Sequence, residues 1–277
     1  MFPSSLITVK DLKNQIDNPR LIILDCSIDK VNESLNDKEV KLIPNSLFFD
    51  IENEFSDHKN PLPHTLLDAY NFTQHTQKLG INKDSIIVLY DRWGIYSSPR
   101  AWWMFRVMGH EKVFILDGGI VAWEAEGNRI VNDYQVSSEK GDFVASFNPQ
   151  LYADVNEILE NYQNPEISII DARGAKRFLG QAAEPRKGLR SGHIPHSKNL
   201  PFDLVLKKEK YKTTEELVEI FAPLISDSKK QIFTCGSGIT ASIIAFASYI
   251  AGNTNLKVYD GSWSEWGKEE LNLPIEQ

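Results

Sequence analysis

The chain has 277 residues, of which 42% are hydrophobic and 10% aromatic, enough apolar material for one large core or two ordinary ones. Its formal net charge of −8 argues against nucleic acid as the main partner, because proteins that bind nucleic acid usually carry a basic excess. Two cysteines are too few for a disulfide framework, no stretch approaches the roughly 18 apolar residues of a membrane span, and the N-terminus lacks a signal-peptide pattern, so we expect a cytoplasmic protein.

Short apolar runs alternate with amphipathic segments in the first half of the chain. The apolar runs are typical of buried parallel strands, and the amphipathic segments are typical of helices. In chain order the pattern predicts a helix at 8–17, strands at 21–26 and within 42–50, a helix at 66–79, a strand at 86–91, a helix at 99–108 and a strand at 113–117. This alternation indicates an α/β fold with a parallel sheet.

The second half of the chain repeats this order. Here the pattern predicts a helix at 152–161, a strand at 167–171, a helix at 215–221, a strand that ends at Cys235, a helix after it, and a strand at 256–260. The interval from Asp25 to Asp91 is 66 residues and that from Asp171 to Cys235 is 64, and the acid that ends the next strand follows 26 and 25 residues later. Matching intervals at two places indicate two copies of one α/β unit.

The repeat predicts two domains with different roles. We expect a first domain at 1–135, a linker at 136–151, where Asp, Ser, Gly and Pro gather without periodicity, and a second domain at 152–277. Asp91 in the first copy occupies the position of Cys235 in the second. Because an aspartate has no thiol to serve as nucleophile, the first domain is expected to be non-catalytic.

Cys235 is the candidate nucleophile of the second copy. It opens the segment Cys-Gly-Ser-Gly-Ile-Thr between a predicted strand and a predicted helix, and Thr240 is expected to cap that helix. Gly236 and Gly238 tolerate positive φ, so the loop can turn its N–H groups inward, and with the helix N-terminus it would favour a thiolate. The alternatives are a small buried apolar cysteine, or a Cys-x5-Arg phosphatase loop, for which Ala241 stands where the arginine is needed.

This loop, together with Tyr-Asp-Gly-Ser-Trp-Ser-Glu-Trp at 259–266, resembles the active loop and closing motif of the tandem-domain rhodanese family. Within that family it most resembles the 3-mercaptopyruvate sulfurtransferases, because thiosulfate-specific members carry basic residues inside the loop and this loop has none. The resemblance implies two α/β domains, each a mainly parallel five-stranded sheet flanked by helices. It implies sulfur transfer from 3-mercaptopyruvate through a Cys235 persulfide to cyanide or a thiol acceptor, possibly thioredoxin, without a metal or organic cofactor.

The resemblance also implies roles for individual residues. Arg177 and Arg186 match the arginines that bind the carboxylate and carbonyl of the substrate, and the loop residues that would contact the substrate are Gly236, Gly238, Ile239 and Thr240. A catalytic relay would join Cys235 to Ser237, with Asp50 and His64 contributed from the first half of the chain. The alternatives are that the two arginines are ordinary surface charges and that Ser237 only bonds its own backbone.

Two other activities remain open from the sequence. A thiosulfate:cyanide sulfurtransferase would share the fold and the cysteine. A non-enzymatic relay module would accept a persulfide from one protein and pass it to another. Arg173 is expected to make a structural ion pair, and Cys26, on a predicted core strand, is expected to be inert.

Overall fold

The computed structural model describes residues 2, 4–36, 38–225 and 230–277. The chain forms two compact units. The first comprises Met1–Asp57, Leu66–Asn148 and Lys208–Tyr211, and the second comprises His58–Thr65, Pro149–Lys207 and Lys212–Gln277. Each unit therefore includes a short segment that the sequence carries in its other half.

The first unit is built on a five-stranded parallel sheet with strand order β1-β5-β4-β2-β3. Its elements are β1 (Leu6–Ile7), α1 (Val9–Lys13), β2 (Leu21–Asp25), β3 (Ser46–Phe48), α2 (Ala69–Lys78), β4 (Ile86–Tyr90), α3 (Ser98–Val107), β5 (Val113–Leu116) and α4 (Gly119–Ala125). All five residues of β4 are buried, as expected of a central parallel strand covered on both faces.

The second unit contains an equivalent sheet with strand order β6-β12-β11-β7-β8, again parallel throughout. Its elements are β6 (Tyr152–Ala153), α5 (Val155–Asn161), β7 (Ile167–Asp171), α6 (Ala175–Phe178), β8 (Lys198–Asn199), β9 (Leu206–Lys207), α7 (Thr214–Ile225), β11 (Lys230–Thr234), α8 (Ile239–Ile250), β12 (Leu256–Tyr259) and α9 (Ser262–Trp266). Strand β10 (Lys210–Tyr211) belongs to the first unit. The equal strand orders confirm the predicted repeat and fold class.

The central strand pair of each sheet sets the position of the chemistry. In the first unit β2 pairs with β4, and in the second unit β7 pairs with β11. The carboxyl ends of these strands meet at one edge of each sheet, which is where open parallel sheets bind ligands. Asp171 and Cys235 therefore lie at one edge in the second unit, and Asp25 and Asp91 at the equivalent edge in the first.

The helices of both units are short, and several of them begin at a residue whose side chain caps the helix. Thr8 and Asp11 form a reciprocal capping box at the start of α1, and Asp68 caps α2. The longest helices in the described ranges, α7 and α8, have 12 residues each. None of the helices formed by described residues has the length and hydropathy that crossing a membrane requires.

Several element boundaries differ from the prediction. Helix α1 ends at Lys13 instead of residue 17, because turns follow it, and α7 continues to Ile225 beyond the predicted end at residue 221. The two-residue strands β1 and β6 at the sheet edges were not predicted. A periodic pattern cannot be recognised in two residues, so such strands form through their pairing with a neighbour.

Candidate active site

Cys235 lies between the end of β11 and the start of α8, as the sequence predicts. The residue is 2% exposed. Gly238 is the N-cap of α8 with φ of +83°, a left-handed conformation that glycine adopts without steric cost. Gly236 is not among the glycines with positive φ, so the expectation that both glycines curl the loop in this way was wrong for Gly236.

The start of α8 also corrects the prediction for Thr240. The N-cap is Gly238, two residues before the predicted cap at Thr240, and the helix begins at Ile239, so Thr240 lies in its first turn and does not cap it. The glycine at the N-cap position has no side chain, and the loop turns directly into the helix. Ile239 is buried, whereas Thr240 is half-buried. The loop between Cys235 and the helix is therefore only 236–238.

The short helix α9 supports this loop from behind. The backbone N–H of Cys235 donates to Oγ of Ser262 at 3.2 Å, and the N–H of Trp263 donates to the carbonyl of Cys235 at 2.9 Å. Ser264 donates to the carbonyl of Gly236 through its N–H at 2.8 Å and its hydroxyl at 2.6 Å. These bonds fix the path of the chain at the cysteine and explain the serines of the closing motif.

Two predicted substrate-binding arginines converge on the loop. A β-carbon built onto Gly236 would lie 3.3 Å from Nη2 of Arg177 and 3.9 Å from Nη1 of Arg186. The missing side chain of Gly236 thus leaves space that both guanidinium groups approach. The structure brings Arg177, Arg186 and the Cys235 loop together within the second unit.

A buried network of alternating charges holds Arg177 in place. Glu184, whose side chain is 1% exposed, accepts from Nη1 of Arg173 at 2.8 Å and from Nε of Arg177 at 3.2 Å, and it also binds Nη2 of Arg177. The side chain of Arg177 remains 27% exposed. The network therefore ends beside the Cys235 loop, where Glu184 orients the guanidinium group of Arg177.

Arg173 anchors the other end of this network. A structural ion pair was predicted for Arg173, and its partner is Asp171, at 2.7 Å from Nη2. The guanidinium of Arg173 lies 4.2 Å from the centre of the Trp263 ring. Burial alone lowers the pKa of Arg173, but the neighbouring carboxylates of Asp171 and Glu184 outweigh this effect and raise that pKa. Arg173 is thus a permanent cation between two carboxylates.

His64 contacts the loop, although the sequence carries it in the first half of the chain. It belongs to the segment His58–Thr65 of the second unit, and its Nδ1 lies 3.0 Å from Oγ of Ser237. His64 has φ of +59°, an unusual conformation for a residue other than glycine. The predicted neighbours His64 and Ser237 are therefore in hydrogen-bond contact two residues from the cysteine.

Asp50, the third residue predicted for the relay, belongs to the first unit. Its carboxylate accepts from the backbone N–H of Asn53 at 2.9 Å and from Nδ2 of Asn53 at 3.0 and 3.1 Å. Cys26 is fully buried in the same unit, and burial raises the pKa of its thiol well above the ordinary value. That environment suits the inert role expected of Cys26.

The equivalent loop of the first unit is filled by its own carboxylate. Asp91 accepts from the backbone N–H groups of Trp93 at 3.1 Å, Tyr96 at 2.8 Å, Ser97 at 3.0 Å and Ser98 at 3.0 Å. The hydroxyl of Ser98 adds a fifth bond at 2.7 Å. This is an anion-binding nest at the start of α3 that an internal carboxylate occupies.

Glu184 is a residue of the site that the sequence did not predict. The sole signal was its position two residues before Arg186, in Glu-Pro-Arg. Its partners Arg177 and Arg173 precede it by 7 and 11 residues, and a turn separates it from both. No helical or strand periodicity joins these positions, so the pairing becomes visible only in three dimensions.

Comparisons with known proteins agree with this geometry. The model of the rhodanese-like domain matches residues 8–126 and 154–269. The 3-mercaptopyruvate sulfurtransferase of Escherichia coli strain K12 is 40% identical over 270 residues, which cover 96% of this chain and 95% of that protein. The mitochondrial thiosulfate/3-mercaptopyruvate sulfurtransferase 1 of Arabidopsis thaliana is 38% identical, with 98% and 78% covered.

Solved structures give the same result. The crystal structure of SseA from Escherichia coli, described as a 3-mercaptopyruvate sulfotransferase with the rhodanese fold, matches with a TM-score of 0.84 at 36% identity, covering 95% of this chain and 100% of that one. The Tum1 protein of Saccharomyces cerevisiae matches with a TM-score of 0.88 at 30% identity, covering 100% and 99%. The chain therefore belongs to the rhodanese-like domain family, and it contains two copies of the domain.

Proposed function

We propose that this protein is an enzyme that transfers sulfur from 3-mercaptopyruvate to cyanide or a thiol acceptor through a persulfide on Cys235, releasing pyruvate. The observation that carries the proposal is the approach of two guanidinium groups to the cysteine loop, at 3.3 and 3.9 Å from the β-carbon position of Gly236. A planar guanidinium suits the carboxylate and carbonyl of a keto acid better than an ammonium group does. The names of the two sulfurtransferase relatives support the same donor.

The first half of the reaction needs no group beyond those of the protein and the donor. The thiolate of Cys235 attacks the thiol sulfur of 3-mercaptopyruvate, and a sulfur–sulfur bond forms as the carbon–sulfur bond breaks. The electron pair of the broken bond remains on carbon as the enolate of pyruvate, which Arg177 and Arg186 stabilise through its oxygens. Cys235 is left as a persulfide.

Protonation of the enolate then gives pyruvate. We assign this proton to the pair of Ser237 and His64, whose hydroxyl and Nδ1 lie 3.0 Å apart. Asp50 is proposed as the carboxylate that completes the relay. Gly236 and Gly238 in the loop, and Ile239 and Thr240 in the first turn of α8, are proposed to contact the substrate.

The second half of the reaction returns the cysteine to its starting state. An acceptor thiolate or cyanide attacks the outer sulfur of the persulfide, and Cys235 leaves as a thiolate. Thioredoxin is a candidate acceptor, and two cysteines without a disulfide fit a reducing compartment such as the cytoplasm. The first domain, proposed at 1–135 before a linker at 136–151, has no nucleophile at Asp91 and is proposed to be non-catalytic.

Mass spectrometry of the intact intermediate tests the proposal. After incubation with 3-mercaptopyruvate, the peptide that contains Cys235 is expected to gain the mass of one sulfur atom, and pyruvate is expected to appear in equal amount. Cys235→Ser should abolish both, while Cys26→Ser should leave both intact. Pyruvate release by Cys235→Ser, or sulfur on another residue, would contradict the mechanism.

A comparison of two donors tests the choice of substrate. Arg186→Ala should raise KM for 3-mercaptopyruvate by about tenfold and change KM for thiosulfate much less, because thiosulfate has no carboxylate. Equal changes in KM for the two donors would contradict the proposed binding of the donor carboxylate by Arg186. A wild-type protein with higher kcat/KM for thiosulfate would favour a thiosulfate:cyanide sulfurtransferase.

A further inference from the structure

Gly192 and His193 are buried residues of the second unit that the proposed mechanism does not use. The carbonyl of Gly192 accepts from Nη2 of Arg173 at 2.8 Å. Nδ1 of His193 lies 2.8 Å from the carbonyl oxygen of Phe178, the residue that follows Arg177. These two adjacent residues therefore contact the arginine network at two points, at Arg173 and next to Arg177.

His193 holds the last residue of helix α6 in two ways. Its ring stacks on that of Phe178, with centroids 3.7 Å apart and planes 16° apart, and both side chains are buried. A carbonyl oxygen only accepts hydrogen bonds, so Nδ1 of His193 carries a proton and donates to Phe178. The last carbonyls of a helix lack partners within it, and a helix of four residues depends on outside contacts. His193 therefore stabilises the single turn that carries Arg177.

The backbone of Glu276 holds His193 in turn. The N–H of His193 donates to the carbonyl of Glu276 at 2.8 Å, and the N–H of Glu276 donates to the carbonyl of His193 at 3.0 Å, as in a pair of antiparallel strands. A β-carbon on Gly192 would clash with the carbonyl oxygen of Glu276, so a glycine permits this close approach. Leu273 and Ile275 pack against the hydrophobic core of the second unit and anchor the same segment. Backbone bonds to an anchored segment thus set the position of His193.

Both ring nitrogens of His193 face protein groups. Nδ1 faces the carbonyl of Phe178, and Nε2 lies 3.7 Å from the carboxylate of Glu276. A general acid has to reach the atom that it protonates. His193 is therefore suited to hold a chain segment and not to transfer a proton to a substrate.

We infer that His193 is a positioning residue for the keto-acid donor, because it fixes the backbone of α6 from which the side chain of Arg177 extends. The inference rests on the proposed function, in which Arg177 binds the oxygens of 3-mercaptopyruvate. Glu184 orients the guanidinium of Arg177 at one end of the side chain, and His193 fixes the turn at the other end. Holding both ends reduces the rotamer freedom that Arg177 would otherwise lose when the donor binds.

Two substitutions of His193 separate its hydrogen bond from its stacking. His193→Phe keeps an aromatic ring against Phe178 and removes the hydrogen bond, whereas His193→Asn removes the ring and keeps an amide N–H near the position of Nδ1. We expect His193→Phe to raise KM for 3-mercaptopyruvate by about three- to tenfold, the effect of one hydrogen bond, with a smaller change in kcat. His193→Asn should recover most of that loss.

Glu276→Pro tests the same contact from an exposed residue. Proline lacks the N–H that Glu276 donates to His193. Glu276→Ala is the matched control, because it keeps that N–H and removes only the side chain. We expect Glu276→Pro to raise KM for 3-mercaptopyruvate by about three- to tenfold and Glu276→Ala to leave it close to the wild-type value. This pair decides the question even where the buried His193→Phe does not fold.

Steady-state kinetics with two donors and calorimetric titration with pyruvate measure these effects on the full-length protein. The Kd of pyruvate should rise together with KM for 3-mercaptopyruvate in His193→Phe and Glu276→Pro, while KM for thiosulfate, which has no carboxylate, should change much less. Equal changes in KM for the two donors, or a fall in kcat at unchanged KM, would overturn the inference. So would a His193→Asn variant whose KM is no lower than that of His193→Phe.

Persulfide formation separates this test from that of the proposed function. If the wild type gains sulfur on Cys235 and the variants bind pyruvate as tightly as the wild type does, His193 has no positioning role and the sulfurtransferase stands. If no persulfide forms but both variants bind pyruvate more weakly, the sulfurtransferase is wrong and His193 positions Arg177 for a different keto-acid reaction. If the wild type neither forms the persulfide nor binds pyruvate, both proposals are wrong.

Discussion

Glu184 is a single buried carboxylate shared by Arg173 and Arg177. Its contacts to Nε and Nη2 of Arg177 fix the plane of the guanidinium that faces the cysteine loop. A buried charge is stable only while it is paired, and removal of one partner leaves the others uncompensated. In the proposed mechanism Glu184 is therefore a positioning residue, which acts on the substrate through Arg177.

Replacement of Glu184 should change donor binding more than the chemical step. We expect Glu184→Gln to raise KM for 3-mercaptopyruvate by about tenfold with a smaller change in kcat, because the freed guanidinium of Arg177 loses its orientation. Steady-state kinetics measures the split, and Glu184→Asp, which keeps the charge, should recover part of the loss. A variant in which kcat falls and KM is unchanged would contradict the positioning role.

Some residues of this site could be predicted from the sequence, and others could not, for a physical reason. Cys235, Arg177 and Arg186 belong to short motifs that the family resemblance marks, although the two arginines lie far from the loop in sequence and meet it only in the fold. Glu184 depends on pairs that cross a turn, and no local pattern marks them. The prediction that Thr240 caps α8 was wrong because the turn at Gly238 sets the N-cap position, and not the residue with the best capping side chain.

At the scale of elements, the carboxylate of Glu157 connects helix α5 to the sheet of the second unit through ion pairs. Glu157 binds Nζ of Lys257, in β12, at 2.8 Å, and Nζ of Lys230, the first residue of β11, at 2.5 Å. Burial raises the pKa of Glu157, but the hydrogen bonds from Lys230 and Lys257 outweigh it and lower that pKa from its ordinary value of 4.5. The charged form of Glu157 is thus stabilised in the folded state.

The stability of the second unit should therefore depend on pH through Glu157. A carboxyl group with a lowered folded pKa stabilises the protein above its unfolded pKa and loses that effect as pH falls through the folded value. We expect Glu157→Gln to lower the free energy of unfolding at pH 7, and the difference from the wild type to shrink below about pH 4.5 and vanish in stronger acid.

Urea unfolding at a series of pH values measures this difference. Glu160→Gln, a change at an exposed position of the same helix, is the control that removes one negative charge without breaking the contacts to the lysines. If Glu157→Gln lowers the free energy of unfolding as much at pH 3 as at pH 7, then packing and not charge accounts for the contribution of Glu157. Equal losses in the free energy of unfolding for the two variants would indicate an effect of net charge instead of the contacts to the lysines.

The long strands and most helices were predictable because their periodicity extends over four or more residues. Strands β4, β5, β7 and β11 appear at or within one residue of the predicted ranges. The edge strands β1 and β6 have two residues each, and they form only because a neighbouring strand supplies the hydrogen bonds. Elements of this size are set by the tertiary structure.

At the scale of the whole molecule, each compact unit incorporates a segment from the opposite half of the sequence. Residues 58–65 cluster with the second unit and bring His64 to Ser237. Residues 208–211 cluster with the first unit, where the N–H of the buried Tyr211 donates to Oδ1 of Asp117 at 3.0 Å. A cut in the chain between the two halves therefore removes a native segment from each unit.

We expect the separate fragments 1–148 and 149–277 to be less stable than the same units in the intact chain. The first loses the contact of Tyr211 with Asp117, and the second loses the contact of His64 with Ser237. Thermal unfolding followed by circular dichroism and limited proteolysis would measure the loss, with the two fragments expressed together as control. Fragments that each unfold as cooperatively, and at the same temperature, as the intact protein would contradict this expectation.

The carboxylate of Asp91 occupies the anion-binding loop of the first unit, where it accepts hydrogen bonds from four backbone N–H groups and one hydroxyl. An outside anion would have to displace a group that is covalently tethered and always present at the nest. Despite its duplicated architecture, the protein should therefore behave as a monovalent receptor for small oxyanions. Calorimetric titration with pyruvate would report this directly, as a stoichiometry of one molecule per chain.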